Sequence, residues 1–204
     1  MRKGLYVIAG ICFALALAAA GAGAVRVADY AITPVATDSP QAATTTATSR
    51  TPEAAPDTYP VVEVVDGDTI DVHMNGETTR LRLVGMDTPE VVDPRKVVQC
   101  FGKEASAEGH RLLEGQWVRL EYDAVAGTFD KYGRTLAYVF RADGLFYNEY
   151  MIANGFAHEY TYSGQKYTYQ AQFKAAQKAA EEALLGFWSP SACGGNTTKP
   201  AAST

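Results

Sequence analysis

The sequence predicts an α+β protein, a small five-stranded β-barrel with three α-helices. Strand-patterned segments come first along the chain and run as a meander, whereas helix-patterned segments lie between and after the later strands. An Asn-Gly pair joins two of the early strands, which is the strongest short-range signal for a β-hairpin. Early strands followed by interspersed helices are typical of a small barrel domain.

The early strands are the clearest elements. Residues 61–65 are β-branched apart from Glu63, residues 69–74 alternate, and residues 77–84 return as a strand after the Asn75-Gly76 turn. The later elements are predicted as a helix at 102–113, strands at 116–122 and 134–140, a short helix at 148–154 that Gly155 ends, and a last helix at 165–185 that ends at Gly186.

An apolar segment, residues 1–24, precedes the domain. Arg2 and Lys3 give it a basic start, residues 5–25 carry no charge, and residues 20–24 offer small-residue A-x-A cleavage sites. These features are typical of an export signal. The apolar run is also about long enough to span a bilayer, so an uncleaved membrane anchor is the alternative. The basic start stays cytoplasmic in both cases, which predicts a secreted or cell-surface protein.

Two further segments lack the large apolar residues that a core needs. Residues 25–58 are rich in Ala, Thr, Pro and Ser and are predicted to form a disordered linker. Residues 193–204 have a similar composition and are predicted to be a flexible tail. The folded domain is therefore predicted to comprise residues 59–192.

The cysteines are informative once export is assumed. Cys12 lies in the apolar N-terminal segment, and Cys100 and Cys193 remain in the rest of the chain. An even pair of cysteines in an oxidising compartment predicts a disulfide between Cys100 and Cys193. Two unbonded thiols are the alternative.

The charge balance limits how the protein can bind polyanions. Residues 60–190 contain 13 Lys and Arg against 19 Asp and Glu, which is a net charge of −6. Proteins that bind nucleic acid through a broad electrostatic field are usually basic. A polyanion site must therefore be a local cluster of positive charge.

Three short motifs place charges where strand and turn propensities do not require them. They are D-G-D-T at 66–69, R-L-V-G-M-D-T-P-E at 82–90 and D-K-Y-G-R at 130–134. Taken alone, the first motif is best explained as a turn and the third as a solvated turn. However, Asp68 precedes the first strand of the Asn-Gly hairpin and Asp87 follows the second. Antiparallel pairing therefore brings both carboxylates to the same end of the hairpin.

This carboxylate pair indicates a metal site, because two close carboxylates repel each other unless a cation lies between them. The available donors are carboxylates, the Thr88 carbonyl and water. Such oxygen donors suit Ca²⁺ or Mg²⁺, and Ca²⁺ tolerates irregular geometry better. The histidines, His73, His110 and His158, lack the spacing of a zinc site.

Arg82, Arg134 and Glu90 complete a predicted hydrolytic site. Arginine binds phosphate through two parallel hydrogen bonds, which lysine does not provide. A metal ion and two arginines stabilise charge on phosphoryl oxygens, and an acid orients or deprotonates water. The combination predicts phosphodiester hydrolysis and gives a reason for a charged residue inside a strand.

Several motifs in order resemble those of the staphylococcal nuclease (thermonuclease) family. They are V-D-G-D-T (65–69), R-L-V-G-M-D-T-P-E (82–90), F-G-K-E-A-S (101–106), D-K-Y-G-R-T-L-A-Y (130–138) and G-F-W-S (186–189), so the resemblance spans about residues 61–189. It implies the family's OB-type barrel with three helices. It also implies a monomeric, Ca²⁺-dependent and sugar-non-specific nuclease. Such an enzyme cuts DNA and RNA, preferably single-stranded, without an obligate protein partner and leaves 3′-phosphate ends.

Matched position by position, the resemblance also implies residue roles. Glu90 corresponds to the acid that activates or positions water, and Arg82 and Arg134 to the phosphate-binding arginines. The implied Ca²⁺ ligands are Asp68, Asp87 and the Thr88 carbonyl. Asp66 is the implied supporting carboxylate, which does not itself coordinate the ion. The implied substrate contacts are Lys131, Tyr132, Tyr160 and Tyr162. For the last two tyrosines, packing on the last helix is an equally good explanation.

Two other functions fit part of the sequence. Barrels of this type often bind nucleic acid without cutting it, and a domain on a Thr-rich linker can be a surface-displayed structural unit. A binding module needs no such set of carboxylates and arginines, and its acidic charge would weaken binding. A structural unit explains the linker but not the charged motifs. The sequence therefore favours the enzyme.

Overall fold

The computed structural model describes residues 57–93, 95 and 97–201. The predicted export segment and most of the predicted linker lie outside the described residues, as does the end of the chain from residue 202. Within the described ranges, no helix is long and apolar enough to cross a membrane.

Five strands form a closed barrel, and two short strands form a separate antiparallel ribbon. The strands are β1 (Thr58–Asp66), β2 (Thr69–Met74), β3 (Glu77–Leu83), β4 (Met86–Asp87), β5 (Trp117–Glu121), β6 (Thr135–Arg141) and β7 (His158–Glu159). The barrel order is β1-β2-β3-β6-β5, with β1 closing onto β5 and with β3 and β6 parallel, and the ribbon is β4-β7. The helices are α1 (Gly102–Leu113), α2 (Tyr147–Ala153) and α3 (Gln170–Glu182). This mixed barrel with three helices confirms the predicted α+β, OB-type fold.

The predicted hairpin is formed by β2 and β3. Asn75 and Gly76 both have positive φ, at 54° and 86°, as a two-residue hairpin turn of this kind requires. At the open end of the hairpin, Thr69 pairs with Arg82. The chain continues almost directly into β4, which carries Asp87, so the charged motifs meet at this end.

The alternation of side chains along β3 separates the core from the site. Leu81 and Leu83 are 0% and 1% exposed. Because neighbouring residues of a strand face opposite sides, Arg80 and Arg82 point away from this core. Helices α2 and α3 pack against each other and add Met151, Ile152 and Phe173 to the same core.

The last helix is shorter than the predicted range 165–185. It begins later because the backbone N–H of Thr168 donates to the Asp123 carboxylate at 2.6 Å, which holds the preceding residues outside the helix. It ends earlier because Leu184 has φ of 55° and its amide donates to the Glu181 carbonyl at 3.1 Å, a common helix ending. The other elements agree with the predicted ranges to within a few residues.

Residues 193–201, the described part of the predicted flexible tail 193–204, pack on the domain. Cys100 and Cys193 form a disulfide, with their Cα atoms 6.0 Å apart. The Ala201 amide donates to the Val98 carbonyl, and the Cys100 amide donates to the Lys199 carbonyl, both at 2.8 Å. The composition of the segment gave no sign of this pairing, because backbone hydrogen bonds need no particular side chain.

Candidate active site

The open end of the hairpin brings the predicted charged residues together. The guanidinium group of Arg82 lies between two carboxylates, with Nη2 2.6 Å from Asp87 Oδ1 and 3.1 Å from Asp68 Oδ2. Its Nη1 donates to the carbonyl groups of Leu83 at 3.1 Å and Met86 at 2.8 Å. The Arg82 side chain is 13% exposed. These partners explain how β3 accommodates a poorly solvated charge.

The D-G-D turn before β2 packs closely against the residues after β4. Asp68 Oδ2 accepts a hydrogen bond from the Thr88 amide at 3.0 Å, and Asp68 Oδ1 accepts one from the Thr69 hydroxyl at 2.9 Å. A side chain at Gly67 would place its Cβ 2.6 Å from Thr88 Cγ2, so only glycine allows this approach. The buried Tyr147 hydroxyl donates to the Gly67 carbonyl at 2.8 Å, so α2 helps to hold the turn.

Asp66 lies on the buried side of this turn. It is 6% exposed, and it accepts a hydrogen bond from the Gly67 amide at 2.7 Å. Burial, followed by the negative charges of Asp68 and Glu90, raises the pKa of Asp66 to about 7, although the Gly67 amide and Arg82 act in the opposite direction. Asp66 is therefore a poorly solvated acid close to the carboxylates of Asp68 and Glu90.

Glu90 begins the loop that follows the β4 segment and lines the same cleft. Its Oε1 accepts hydrogen bonds from the amides of Val91, Val92 and Asp93 at 3.1, 3.0 and 3.0 Å. Its own amide donates to the side-chain oxygen of Gln99 at 2.8 Å. The loop therefore fixes both the backbone and the carboxylate of Glu90.

A second arginine lies in the cleft, just before β6. Arg134 Nε donates to Asp130 Oδ2 at 2.6 Å, while the amides of Tyr132 and Arg134 donate to Asp130 Oδ1 at 2.8 and 2.9 Å. Burial raises the pKa of Asp130, but these hydrogen bonds outweigh burial and lower the pKa below its usual value. The ionised carboxylate holds the guanidinium by Nε. The Nη groups of Arg134 donate to none of the residues that the structure describes, so they can bind a ligand.

Aromatic side chains line the neighbouring part of the cleft. Tyr132, Tyr160 and Tyr162 are 72%, 43% and 49% exposed, and the ring centres of Tyr160 and Tyr162 are 6.4 Å apart. Lys131 Nζ lies 4.9 Å from the centre of the Tyr132 ring. Phe129, which is 63% exposed, lines the same surface. Sequence reasoning missed Phe129, because a lone phenylalanine in a loop belongs to no periodic pattern.

The cleft has two lobes that share Arg82, Asp87, Tyr132 and Arg134. The aromatic lobe has a volume of about 460 Å³, and the charged lobe, which contains Glu90, has one of about 540 Å³. The aromatic lobe offers flat apolar surfaces, and the charged lobe offers charged hydrogen-bond donors and acceptors. One ligand that is part apolar and part anionic can contact both.

The metal-ligating potential of the site rests on few side chains. In the described part of the chain, no group of three or more His, Cys, Asp or Glu side chains is arranged to hold a metal ion. Asp68 and Asp87 converge on one guanidinium, and Thr88 lies beside them with its hydroxyl oxygen buried and without a hydrogen-bond partner among described residues. His158 bonds Thr197 instead, with Nε2 2.9 Å from Oγ1, and burial lowers its pKa.

Comparison with known proteins gives consistent matches. The sequence model of the family described as "Staphylococcal nuclease homologue" matches residues 80–190. The chain is 46% identical to the thermonuclease of Staphylococcus hyicus and 42% identical to that of Staphylococcus intermedius, each over 132 residues that cover 65% of this chain and 76% of the relative. It is 37% identical to endonuclease YncB of Bacillus subtilis over 128 residues, which cover 62% of this chain and 59% of that protein.

These matches agree with a closed OB-type barrel whose cleft presents arginines and carboxylates. Fold and site together define the class of small barrel nucleases. The chain belongs to the staphylococcal nuclease family. It is a nuclease, a hydrolase whose substrates are nucleic acids.

Proposed function

We propose that the protein is an exported, Ca²⁺-dependent nuclease that hydrolyses both DNA and RNA and leaves 3′-phosphate ends. The observation that carries this proposal is the convergence of Asp68 and Asp87 on Arg82 at one end of the hairpin, with Arg134 in the same cleft. The arginines supply donors for a phosphodiester, and the carboxylates supply oxygen ligands for a cation.

The residues of the site fit a hard cation. The donors at the hairpin end are all oxygen atoms, namely Asp68, Asp87 and the Thr88 carbonyl, and Ca²⁺ completes such incomplete sets with water. The pKa of Asp66 is raised first by burial and then by the negative charge of Asp68, and a cation bound at Asp68 would offset this second effect. When bound, Ca²⁺ stabilises negative charge on the phosphoryl oxygens and polarises bound water.

Arg82 and Arg134 bind the reacting phosphate in this proposal. Arg134 is held by Asp130 through Nε, which leaves its Nη groups for two phosphoryl oxygens. Arg82 contacts Asp68 and Asp87 in the structure, and it exchanges these carboxylates for phosphate oxygens when the carboxylates are neutralised. Both arginines then stabilise the charge that develops on the phosphoryl group.

Glu90 positions the attacking water and accepts its proton. The water oxygen bonds to phosphorus as the bond to the 5′ oxygen breaks, and the departing 5′ oxygen takes a proton from solvent. The products are one 3′-phosphate end and one 5′-hydroxyl end. The support for this role is the anchoring of Glu90 beside the phosphate-binding residues. Its Oε1 accepts hydrogen bonds from three backbone amides, and its own amide donates to Gln99. A fixed carboxylate loses little entropy when it orients water.

The aromatic lobe binds the bases of the substrate. Tyr132, Tyr160 and Tyr162 offer exposed rings for stacking, and Lys131 adds a positive charge beside them. Stacking on protein rings requires bases that are not stacked in a duplex, so the proposal includes a preference for single strands. Readout by stacking and phosphate contacts also leaves the sugar unread, which supports activity on both DNA and RNA.

The site of action is proposed to be outside the cytoplasm. The basic and apolar character of residues 1–24 supports export, and the Cys100–Cys193 disulfide supports an oxidising compartment. The proposal includes a monomer that this segment anchors or releases, without an obligate protein partner.

The test uses protein that starts at residue 25 and a single-stranded oligonucleotide of DNA or RNA. We expect cleavage of both in Ca²⁺ and none in a chelator. The product fragments should accept a 5′ label from a polynucleotide kinase without prior phosphatase treatment, because their 5′ ends carry hydroxyl groups. Binding without cleavage in any divalent metal, or products with 5′-phosphate ends, would contradict the proposal.

A further inference from the structure

Gln99 holds Glu90 from two directions. The Gln99 side-chain oxygen accepts a hydrogen bond from the Glu90 amide at 2.8 Å. The Gln99 amide donates to the Glu90 carbonyl at 2.9 Å. One residue therefore fixes both backbone polar groups of Glu90 and closes the loop at its far end.

The C-terminal segment, residues 193–201, in turn holds Gln99. Gln99 and Pro200 form an antiparallel bridge, and hydrogen bonds to the segment flank it on both sides, from Cys100 to Lys199 and from Ala201 to Val98. The neighbouring Cys100 is covalently joined to Cys193 at the start of the segment. The segment thus adds a short strand beside Gln99, and the disulfide keeps it there.

The chain between Gln99 and α1 also indicates external restraint. Phe101 has φ of 67°, which a residue with a side chain rarely adopts and which persists only when surrounding contacts enforce it. At Gly102, a Cβ would lie 2.8 Å from Val91 Cγ2 and 3.0 Å from the Glu90 carbonyl oxygen. The start of α1 therefore packs directly on the Glu90 backbone. A shift of the chain between Gln99 and α1 would consequently move Glu90.

We propose that Gln99 is a positioning residue for Glu90, and that the disulfide-tethered C-terminal segment sets turnover by keeping Gln99 in place. This inference rests on the proposed role of Glu90. It adds a dependence on redox state, because the segment is tethered only while the disulfide is intact. The nuclease is then fully active only in an oxidising compartment and less active where thiols stay reduced.

The redox step is an ordinary thiol–disulfide exchange. A dithiol reductant such as dithiothreitol breaks the Cys100–Cys193 bond, and the two cysteines gain two electrons and two protons as thiols. The reductant becomes a cyclic disulfide. No other group of the protein changes its oxidation state.

The first test compares two substitutions of Gln99 in the protein that starts at residue 25. Gln99→Met keeps the length of the side chain but removes the acceptor, and Gln99→Glu keeps an acceptor. With single-stranded DNA and saturating Ca²⁺, we expect Gln99→Met to lower kcat roughly tenfold or more with KM nearly unchanged. Gln99→Glu keeps the acceptor but adds a negative charge to the cleft, so we expect it to lower kcat less than Gln99→Met does. In a Glu90→Gln background, Gln99→Met should add less than about twofold, because it acts through Glu90.

The second test addresses the C-terminal segment without touching Gln99. Ala201→Pro removes the amide that donates to Val98, and the matched Ala201→Ser keeps it. We expect Ala201→Pro and dithiothreitol treatment of the parent each to lower kcat, and Ala201→Ser to leave it unchanged, at a temperature well below every measured Tm. If Gln99→Met does not fold, the kcat values of Ala201→Pro and Ala201→Ser still test the proposal.

The outcomes separate this inference from the proposed function. If the parent does not cleave in Ca²⁺, or Glu90→Gln is fully active, the proposed function fails and this inference fails with it. If Glu90→Gln is inactive but Gln99→Met, Ala201→Pro and reduction all leave kcat unchanged, only the positioning role is overturned. If only Gln99→Met lowers kcat, while Ala201→Pro and reduction do not, Gln99 keeps its positioning role and the proposed role of the C-terminal segment is overturned.

Discussion

At the scale of the residue, Arg82 shows how one side chain can satisfy two demands. A charge in β3 needs partners, and the structure provides two carboxylates and two carbonyl groups around the guanidinium. The same carboxylates are the proposed Ca²⁺ ligands. The proposed exchange of carboxylates for phosphate therefore links cation binding to the release of Arg82.

This link predicts a stability effect of Arg82→Met that depends on Ca²⁺. In a chelator, loss of the guanidinium leaves Asp68 and Asp87 without their shared cation, so we expect a Tm lower than that of the parent by about 5 °C. Saturating Ca²⁺ should restore most of the difference. Thermal unfolding with and without Ca²⁺ measures both values, and an equal Tm deficit in the two conditions would contradict the link.

The proposed role of Arg134 predicts that a lysine at this position, which has the same charge, does not restore kcat. Arg134→Lys keeps the positive charge but loses the planar pair of Nη donors and the Nε bond to Asp130. We expect kcat to fall by roughly 10²-fold, as for loss of a transition-state donor. The control is Arg119→Lys, because the Arg119 guanidinium lies 4.2 Å from the centre of the Phe140 ring and does not line the cleft. A kcat within a few-fold of the parent for Arg134→Lys would remove its assigned role.

At the scale of the element, local signals predicted most of the fold. The β2–β3 hairpin followed from Asn75-Gly76 and strand alternation, because a turn of this kind depends only on its own residues. The start of α3 could not be predicted. It depends on a hydrogen bond from Thr168 to Asp123, 45 residues earlier in the chain. No local pattern at residues 165–169 carries that information.

Asp123 provides a pH-dependent prediction about this element boundary. Burial raises its pKa, but hydrogen bonds from Tyr138 and from the amides of Thr168, Ala126 and Val125 outweigh burial and lower the pKa to about 2. An acid whose pKa is lower in the folded than in the unfolded state stabilises the fold above about pH 4 and loses this effect as the pH falls towards 2.

We therefore expect Asp123→Asn to lower the free energy of unfolding by about 2 kcal/mol at pH 7 and by much less near pH 2. Denaturant unfolding at several pH values measures the difference. The control Glu63→Gln, on an exposed part of β1, should stay within about 0.5 kcal/mol of the parent throughout. A deficit for Asp123→Asn that does not narrow in acid would contradict the assignment.

At the scale of the whole molecule, the site is assembled from distant segments, and this decides what the sequence could reveal. The charged residues of the candidate site were predictable, because the hairpin places Asp68 and Asp87 together and the motifs are distinctive. Gln99, Phe129 and the packing of residues 193–201 were not. Their contacts are made by ordinary residues whose partners lie elsewhere in the chain.

The disulfide is a long-range covalent constraint, because Cys100 and Cys193 are 93 positions apart along the chain. Closing a loop of that length restricts the unfolded chain, so Cys193→Ser should lower the free energy of unfolding by roughly 4 kcal/mol. Denaturant unfolding under oxidising conditions measures this loss. The Ca²⁺ concentration for half-maximal activity should not change, since the disulfide does not touch the carboxylates. An unchanged free energy of unfolding would show that the crosslink does not constrain the chain.

The central claim is that Glu90 acts with Ca²⁺ to hydrolyse phosphodiesters, and one measurement tests it most directly. This is the single-turnover cleavage rate of single-stranded DNA at saturating Ca²⁺ for the parent, Glu90→Gln and the control Glu182→Gln on the exposed side of α3. The account predicts that Glu90→Gln is slower by roughly 10²-fold or more, as for loss of a general base, and that Glu182→Gln equals the parent. A Glu90→Gln rate within a few-fold of the parent rate would contradict it.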